Sequence, residues 1–144
     1  MLIVKNKKAF FEYSILEKLI AGIELKGSEV KSIRSGKVNI SEAYCLIDNG
    51  EIYIKNMHVS EHKQGGRNNN HEPLRDRKLL LKKKEITSLA DKVKQKGLTI
   101  VPLEIILTKT GYIKLEIGLA KGKKTYDKRQ SLKAKDLERE MKNS

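Results

Sequence analysis

Tryptophan is absent from this chain, and only seven aromatic residues are present, five Tyr and two Phe. So few rings do not build a stacking platform for many unpaired bases. A single cysteine, Cys45, excludes an internal disulfide and fits a reducing compartment. Long apolar runs are also missing. The longest, Leu98 to Leu107, is broken by Pro102 and Glu104, so no segment resembles a membrane span or the apolar core of a signal peptide. A soluble, cytoplasmic protein without membrane partners is expected. Acid is in short supply as well, with 18 Asp and Glu against 31 Lys and Arg.

That imbalance leaves a net charge of +13 and a sequence pI of about 9.8, which favours a polyanionic partner. Charge alone does not choose between nucleic acid and an anionic membrane surface. Scarce aromatics make folded RNA, recognised by shape and phosphate contacts, the better fit. With 144 residues the chain can bury one core of ordinary size, so one domain plus appendages is expected.

Along the chain, Met1 to Lys8 ends in a basic run and reads as a solvated arm. Phe10 to Leu25 is densely apolar with helix and strand periods competing, and Ile23 and Leu25 around Glu24 favour a strand. Ser28 then predicts the cap of a short helix stopped at Gly36, with Val30 and Ile33 inward and Lys31, Ser32 and Arg34 outward. Tyr44 to Ile54 reads as a hairpin turning at Asp48-Asn49-Gly50. Residues 60 to 75 are polar, with Gly65-Gly66, three Asn and Pro73, and read as a long loop. The spacing of Ile86, Leu89, Ala90 and Val93 predicts a helix over Asp76 to Lys96, whose other faces are rich in lysine. Two strands follow, Leu98 to Leu107 and Tyr112 to Ala120. Several strands with one long helix predict a mainly β fold, a small closed or partly closed antiparallel barrel with flanking helices, over residues 1–120.

Composition changes after Ala120. Residues 121–144 hold nine basic and four acidic side chains, +5 of the total +13, with little that is apolar. This basic tail is expected to be disordered alone and to become helical on a partner. Lys123, Lys124, Lys128 and Arg129 can neutralise phosphates and Tyr126 can stack on a base, whereas the blander reading is a solubilising tail.

No chemistry-bearing constellation emerges. Cys45, His58, His62 and His71 lack the tight pairing of a zinc site, so no metal or cofactor is expected. A nucleophile elbow and a phosphate-cradling glycine loop are absent, which argues against an enzyme. Glu29 beside Lys31 and Arg34 has two readings of equal weight: a carboxylate satisfying helix-terminal amides, or one orienting basic side chains on an RNA-facing surface. A structural ribosomal or RNA-packaging protein, and a nuclease, remain as alternatives. The first would be found on all ribosomes, and the second would need carboxylates gathered around a metal.

Asn6-Lys7-Lys8-Ala9, Ala21-Gly22, Glu29-Val30-Lys31-Ser32 with Arg34, Gly36-Lys37, Asn39, Arg77-Lys78-Leu79-Leu80-Leu81, Lys121-Gly122-Lys123-Lys124 and Asp127-Lys128-Arg129 occur in this order. Together they closely resemble the small protein B family, the SsrA-binding proteins of bacterial trans-translation. Asp76 departs from the family pattern, where a small neutral residue is usual. The resemblance implies an OB-like barrel that binds the tRNA-like domain of transfer-messenger RNA (tmRNA), accompanied by elongation factor Tu, and delivers it to stalled ribosomes as a monomer. It further implies an RNA face of Asn6, Lys7, Glu29, Lys31, Arg34, Lys37 and Asn39. Lys123, Lys124, Tyr126, Asp127, Lys128 and Arg129 would act at the 16S rRNA decoding centre. A helix carrying Leu132, Leu137 and Met141 would lie in the empty mRNA channel.

Overall fold

A computed structural model describes residues 1–61 and 71–123. Its first surprise is at the start of the chain, where Leu2–Lys5 form strand β1 rather than a solvated arm. The apolar, β-branched run Leu2-Ile3-Val4 pairs antiparallel with Glu104 to Ile106 of a later strand, and Ile3 and Val4 pack against the core. Asn6 stops this strand and caps helix α1, Lys7–Glu12, by accepting the Ala9 amide on Oδ1 at 3.1 Å. Strand β2 therefore begins only at Tyr13 and runs to Ile23, so the competing periods between Phe10 and Leu25 belong to two successive elements.

Helix α2, Gly27–Arg34, leads to the short strand β3, Val38–Asn39. The expected hairpin is present as β4, Tyr44–Asp48, and β5, Glu51–Lys55. Asn49 and Gly50, at φ 51° and 77°, supply the two left-handed residues that a tight hairpin turn demands. Strand β6, His58–Val59, pairs with β3. Strand β7, Arg77–Leu80, occupies residues expected to be helical. Its side chains alternate, Arg77 and Leu79 inward and Lys78 and Leu80 outward, a period of two that the charged Arg77 disguises in the sequence. The helix proper, α3, spans Lys83–Lys96; Glu85 accepts the Lys82 amide at 3.0 Å at its start. Its inward stripe is the expected one: Ile86 and Leu89 are buried and Val93 packs against the core. Strands β8, Thr99–Leu107, and β9, Ile113–Gly122, complete the chain as described.

The strand order is β1-β8-β4-β5-β7-β2-β9, and β9 returns to pair with β8. Six antiparallel strands thus close into a ring with β1 laid along the far end of β8, a small OB-like barrel. Ile33, Ile52, Ile54, Met57, Leu79, Ile105, Leu115 and Ile117 fill its interior, each at 1% exposure or less. Strand β9 continues through Lys121 and Gly122, which pair with Ser14 and Tyr13, and the Lys123 amide donates to Glu12 O at 2.9 Å. The barrel therefore extends past the expected boundary at Ala120. Residues 62–70 of the expected loop and 124–144 of the expected tail lie outside the described residues.

Candidate nucleic-acid interface

Helix α2 carries most of the expected RNA face, and its construction explains how. Glu29 accepts the Lys26 amide at 2.8 Å, closing the first turn. Ser28, expected to be the cap, instead bonds through Oγ to His71 Nδ1 at 2.8 Å. Val59 O can only accept, so His71 Nε2, 2.8 Å away, donates to it, and in the neutral ring Nδ1 is left to accept the Ser28 hydroxyl. Ile33 is fully buried, and Ser32, expected outward, is buried too because its hydroxyl donates to Ser60 O at 2.7 Å. What remains outside is Lys31 and Arg34, both exposed. Lys37 and Asn39 follow directly and are exposed as well. Asn39 Oδ1 accepts from Ser41 N and Oγ at 2.9 and 2.7 Å, which fixes the bend after β3.

Arg34 is not a loose side chain. Its Nη2 donates to Gly111 O at 2.8 Å, tying α2 to the turn between β8 and β9. Gly111 sits at φ 89°, and a Cβ there would meet Arg34 Nη2 at 3.3 Å, so a side chain would be strained in backbone and crowded against the guanidinium. The remaining guanidinium donors have no ion pair among the described residues.

Two residues expected on the RNA face are interior. Asn6 is 3% exposed; beyond its capping oxygen, its Nδ2 donates to Ile40 O at 3.2 Å and Pro102 O at 2.9 Å. It joins α1, β8 and the segment after Asn39, so it aligns Lys7, which is exposed, rather than presenting its own amide. Glu29 is completely buried and receives two arginines, Arg75 Nη2 on Oε1 at 2.6 Å and Arg77 Nε on Oε2. The first reading of Glu29 is met, since it satisfies a helix-terminal amide; the basic side chains it holds are Arg75 and the buried Arg77 rather than Lys31 and Arg34. Burial alone would raise its carboxyl; the Arg75, Lys26 and Arg77 hydrogen bonds outweigh that and hold it below the usual carboxylate range. Burial lowers the Arg77 guanidinium, and the Glu29 contact opposes it.

Arg77 is itself fully buried, its other nitrogens donating to Met57 O at 2.6 Å and Pro73 O at 3.2 Å. Sequence reading missed this cluster because it placed Arg77 on a helix; the alternation of Arg77 with Leu79 was the available signal. Asp76, the departure from the family pattern, lies 3.7 Å from Lys55 Nζ in an exposed pair. Among the described residues no three His, Cys, Asp or Glu gather as a metal site, and Cys45 is buried, which pushes its thiol up. Lys123 is held at the barrel by its amide, whereas Lys124, Tyr126, Asp127, Lys128, Arg129, Leu132, Leu137 and Met141 lie outside the described residues.

The SsrA-binding protein of Cytophaga hutchinsonii is 58% identical over 138 residues, covering 96% of this chain and 90% of that one. The SsrA-binding protein of Carboxydothermus hydrogenoformans is 53% identical over 140 residues, covering 97% and 93%. Among solved structures, a chain from work described as "tmRNA-SmpB: a journey to the center of the bacterial ribosome" superposes with a TM-score of 0.71 at 43% identity, covering 90% of this chain and 93% of that one. The SmpB protein family model matches residues 3–144, and on that match and these relatives the chain belongs to the SmpB family.

Proposed function

We propose that this protein is the non-catalytic RNA-binding adaptor of trans-translation. Its barrel binds the tRNA-like domain of tmRNA, and with elongation factor Tu the complex reaches stalled ribosomes in the cytoplasm. The observation that carries the reading is the separation of charge at α2. Acid is buried there as Glu29, while Lys31, Arg34 and Lys37 are left exposed without an acidic partner among the described residues. Such a surface meets phosphates without first breaking an ion pair. The relatives' names and the ribosomal setting of the matching structure support the partner.

In this reading residues 124–144 act separately, with Tyr126, Asp127, Lys128 and Arg129 at the decoding centre and Leu132, Leu137 and Met141 along a helix in the mRNA channel. Replacing Asp127, Lys128 and Arg129 together with Ala tests the separation. Affinity for the tRNA-like domain should stay within about twofold, since residues 1–123 keep +10 of the +13 charge, while tagging of stalled chains is abolished. Normal tagging by this variant would remove the three residues from the mechanism, and collapsed RNA binding would refute two separable surfaces.

A further inference from the structure

Tyr112 is the most exposed aromatic among the described residues, 67% accessible, at the end of the β8–β9 turn. Its ring and hydroxyl have no partner among the described residues, yet its backbone is firmly held. The Tyr112 amide donates to Thr108 Oγ1 at 3.0 Å and its carbonyl accepts from Thr108 N at 2.8 Å. The Gly111 amide donates to Thr108 O at 3.0 Å, and Thr110 and Thr108 hydroxyls lie 3.1 Å apart. Arg34 Nη2 then clamps the turn to α2 through Gly111 O. A large ring is thus displayed to water on a rigid turn, next to a guanidinium with unused donors and to the exposed Lys109.

The geometry points to Tyr112 as a stacking seat for one unpaired nucleobase of the bound RNA, with Arg34 taking the phosphate beside that base. This rests on the proposed RNA-binding reading and deepens it by naming a structural feature of the RNA. Four observations converge. Exposure leaves the ring's faces open, and the ordered turn lowers the entropy lost when a base stacks. Arg34 supplies a planar fork suited to phosphate. One ring suits one base, consistent with a chain too poor in aromatics for a longer single-stranded track.

The test uses the full chain with two RNAs, the transcribed tRNA-like domain of tmRNA and a fully paired RNA duplex of equal length. Tyr112→Ala should weaken binding to the tRNA-like domain roughly fivefold to a hundredfold, the range for loss of one stacked base. Affinity for the duplex should be unchanged, and so should the salt slope for either RNA, because no phosphate contact is removed. Tyr112→Phe should bind the tRNA-like domain like the natural chain. Because the chain lacks Trp, Tyr112→Trp adds a single reporter whose emission should be quenched by the tRNA-like domain and not by the duplex. Equal loss on both RNAs, affinity within twofold for Tyr112→Ala, or Trp emission blind to the tRNA-like domain would overturn the stacking seat. If the natural chain fails to bind the tRNA-like domain at all, the underlying functional reading falls and the seat with it.

Discussion

Arg34, the last residue of α2, and Arg77, which bonds Glu29 of the same helix from β7, use the same side chain in opposite ways. Arg77 is fully buried and spends its guanidinium on Glu29 and on backbone carbonyls, Met57 O and Pro73 O among them. Arg34 is exposed and spends one nitrogen on Gly111 O. Net charge therefore overstates the charge available to a partner on one side of α2 and conceals its arrangement on the other. Exposed pairs such as Lys8–Glu42 and Lys92–Glu17, both 2.7 Å, reduce it further while adding little stability. Placing Glu29 inside makes the buried Arg77 tolerable and keeps its negative charge off the face that Lys31 and Arg34 present.

The strongest way to break this division is to remove the interior acid. Glu29→Gln keeps the shape but leaves Arg75 and Arg77 without their carboxylate, and losing one partner of a buried pair costs roughly 3–5 kcal/mol. A urea titration should show the midpoint falling at unchanged slope. A loss under about 1 kcal/mol would show that the arginines find other partners and that the interior acid is dispensable.

Acid should reach the same cluster without mutation. The Glu29 carboxyl is held below its unfolded value, near 4.3, so the unfolded chain binds the extra proton as pH falls. Its contribution is fully present above that value and is lost as pH drops through the folded one. Between pH 7 and pH 3 the natural chain should lose more stability than Glu29→Gln, which has no such carboxyl to protonate. Parallel curves would place the acid sensitivity elsewhere.

Asn6→Ala comes next in size. It removes the α1 cap and strips the donor from the Ile40 and Pro102 carbonyls, together about 2–3 kcal/mol. If Asn6 acts through position, a salt titration of RNA binding by this variant should keep the full slope while the midpoint in urea falls. A lost unit of slope with normal stability would return Asn6 to the RNA face.

How much of this was legible in the sequence follows from which residues obey their usual partition. The β4–β5 hairpin was readable because Asn49-Gly50 signals a turn by local conformation alone, β8 because it is a dense apolar run, buried on both faces from Ile100 to Leu103, and β9 because Ile113, Leu115 and Ile117 alternate inward. Helix α3 was readable in its stripe but not in its start. Arg77 on an inward position looks like a surface residue, and nothing local reveals that Glu29, 48 positions away, compensates it. Asn6 and Glu29, which the family resemblance places on the RNA face, are interior side chains whose bonds are set by tertiary neighbours that no local pattern reveals. Strand β1 was hidden because a four-residue segment becomes a strand only when β8 offers an edge. Lys31 was legible as an outward residue because nothing in the fold needs it; Arg34 was legible as outward, but its bond to Gly111 O, 77 positions away, was not.

The smallest effect on stability, and the sharpest on function, belongs to that outer pair. Lys31→Ala should change folding by no more than about 0.5 kcal/mol. Its effect appears instead in the dependence of RNA affinity on salt, where losing one phosphate contact lowers the slope of log K against log salt by about one unit. Arg34→Ala should remove a similar unit and also free the β8–β9 turn. Arg34→Lys separates the two roles: a lysine keeps the charge, and hence the slope, but lacks the planar fork that bonds Gly111 O while facing a phosphate. Normal slope with reduced affinity in Arg34→Lys, against reduced slope in Arg34→Ala, would show Arg34 acting both as phosphate ligand and as the clamp that positions its own binding surface. An unchanged slope in Arg34→Ala would assign it to the clamp alone and leave Lys31 and Lys37 to carry the phosphate contacts on this side of the barrel.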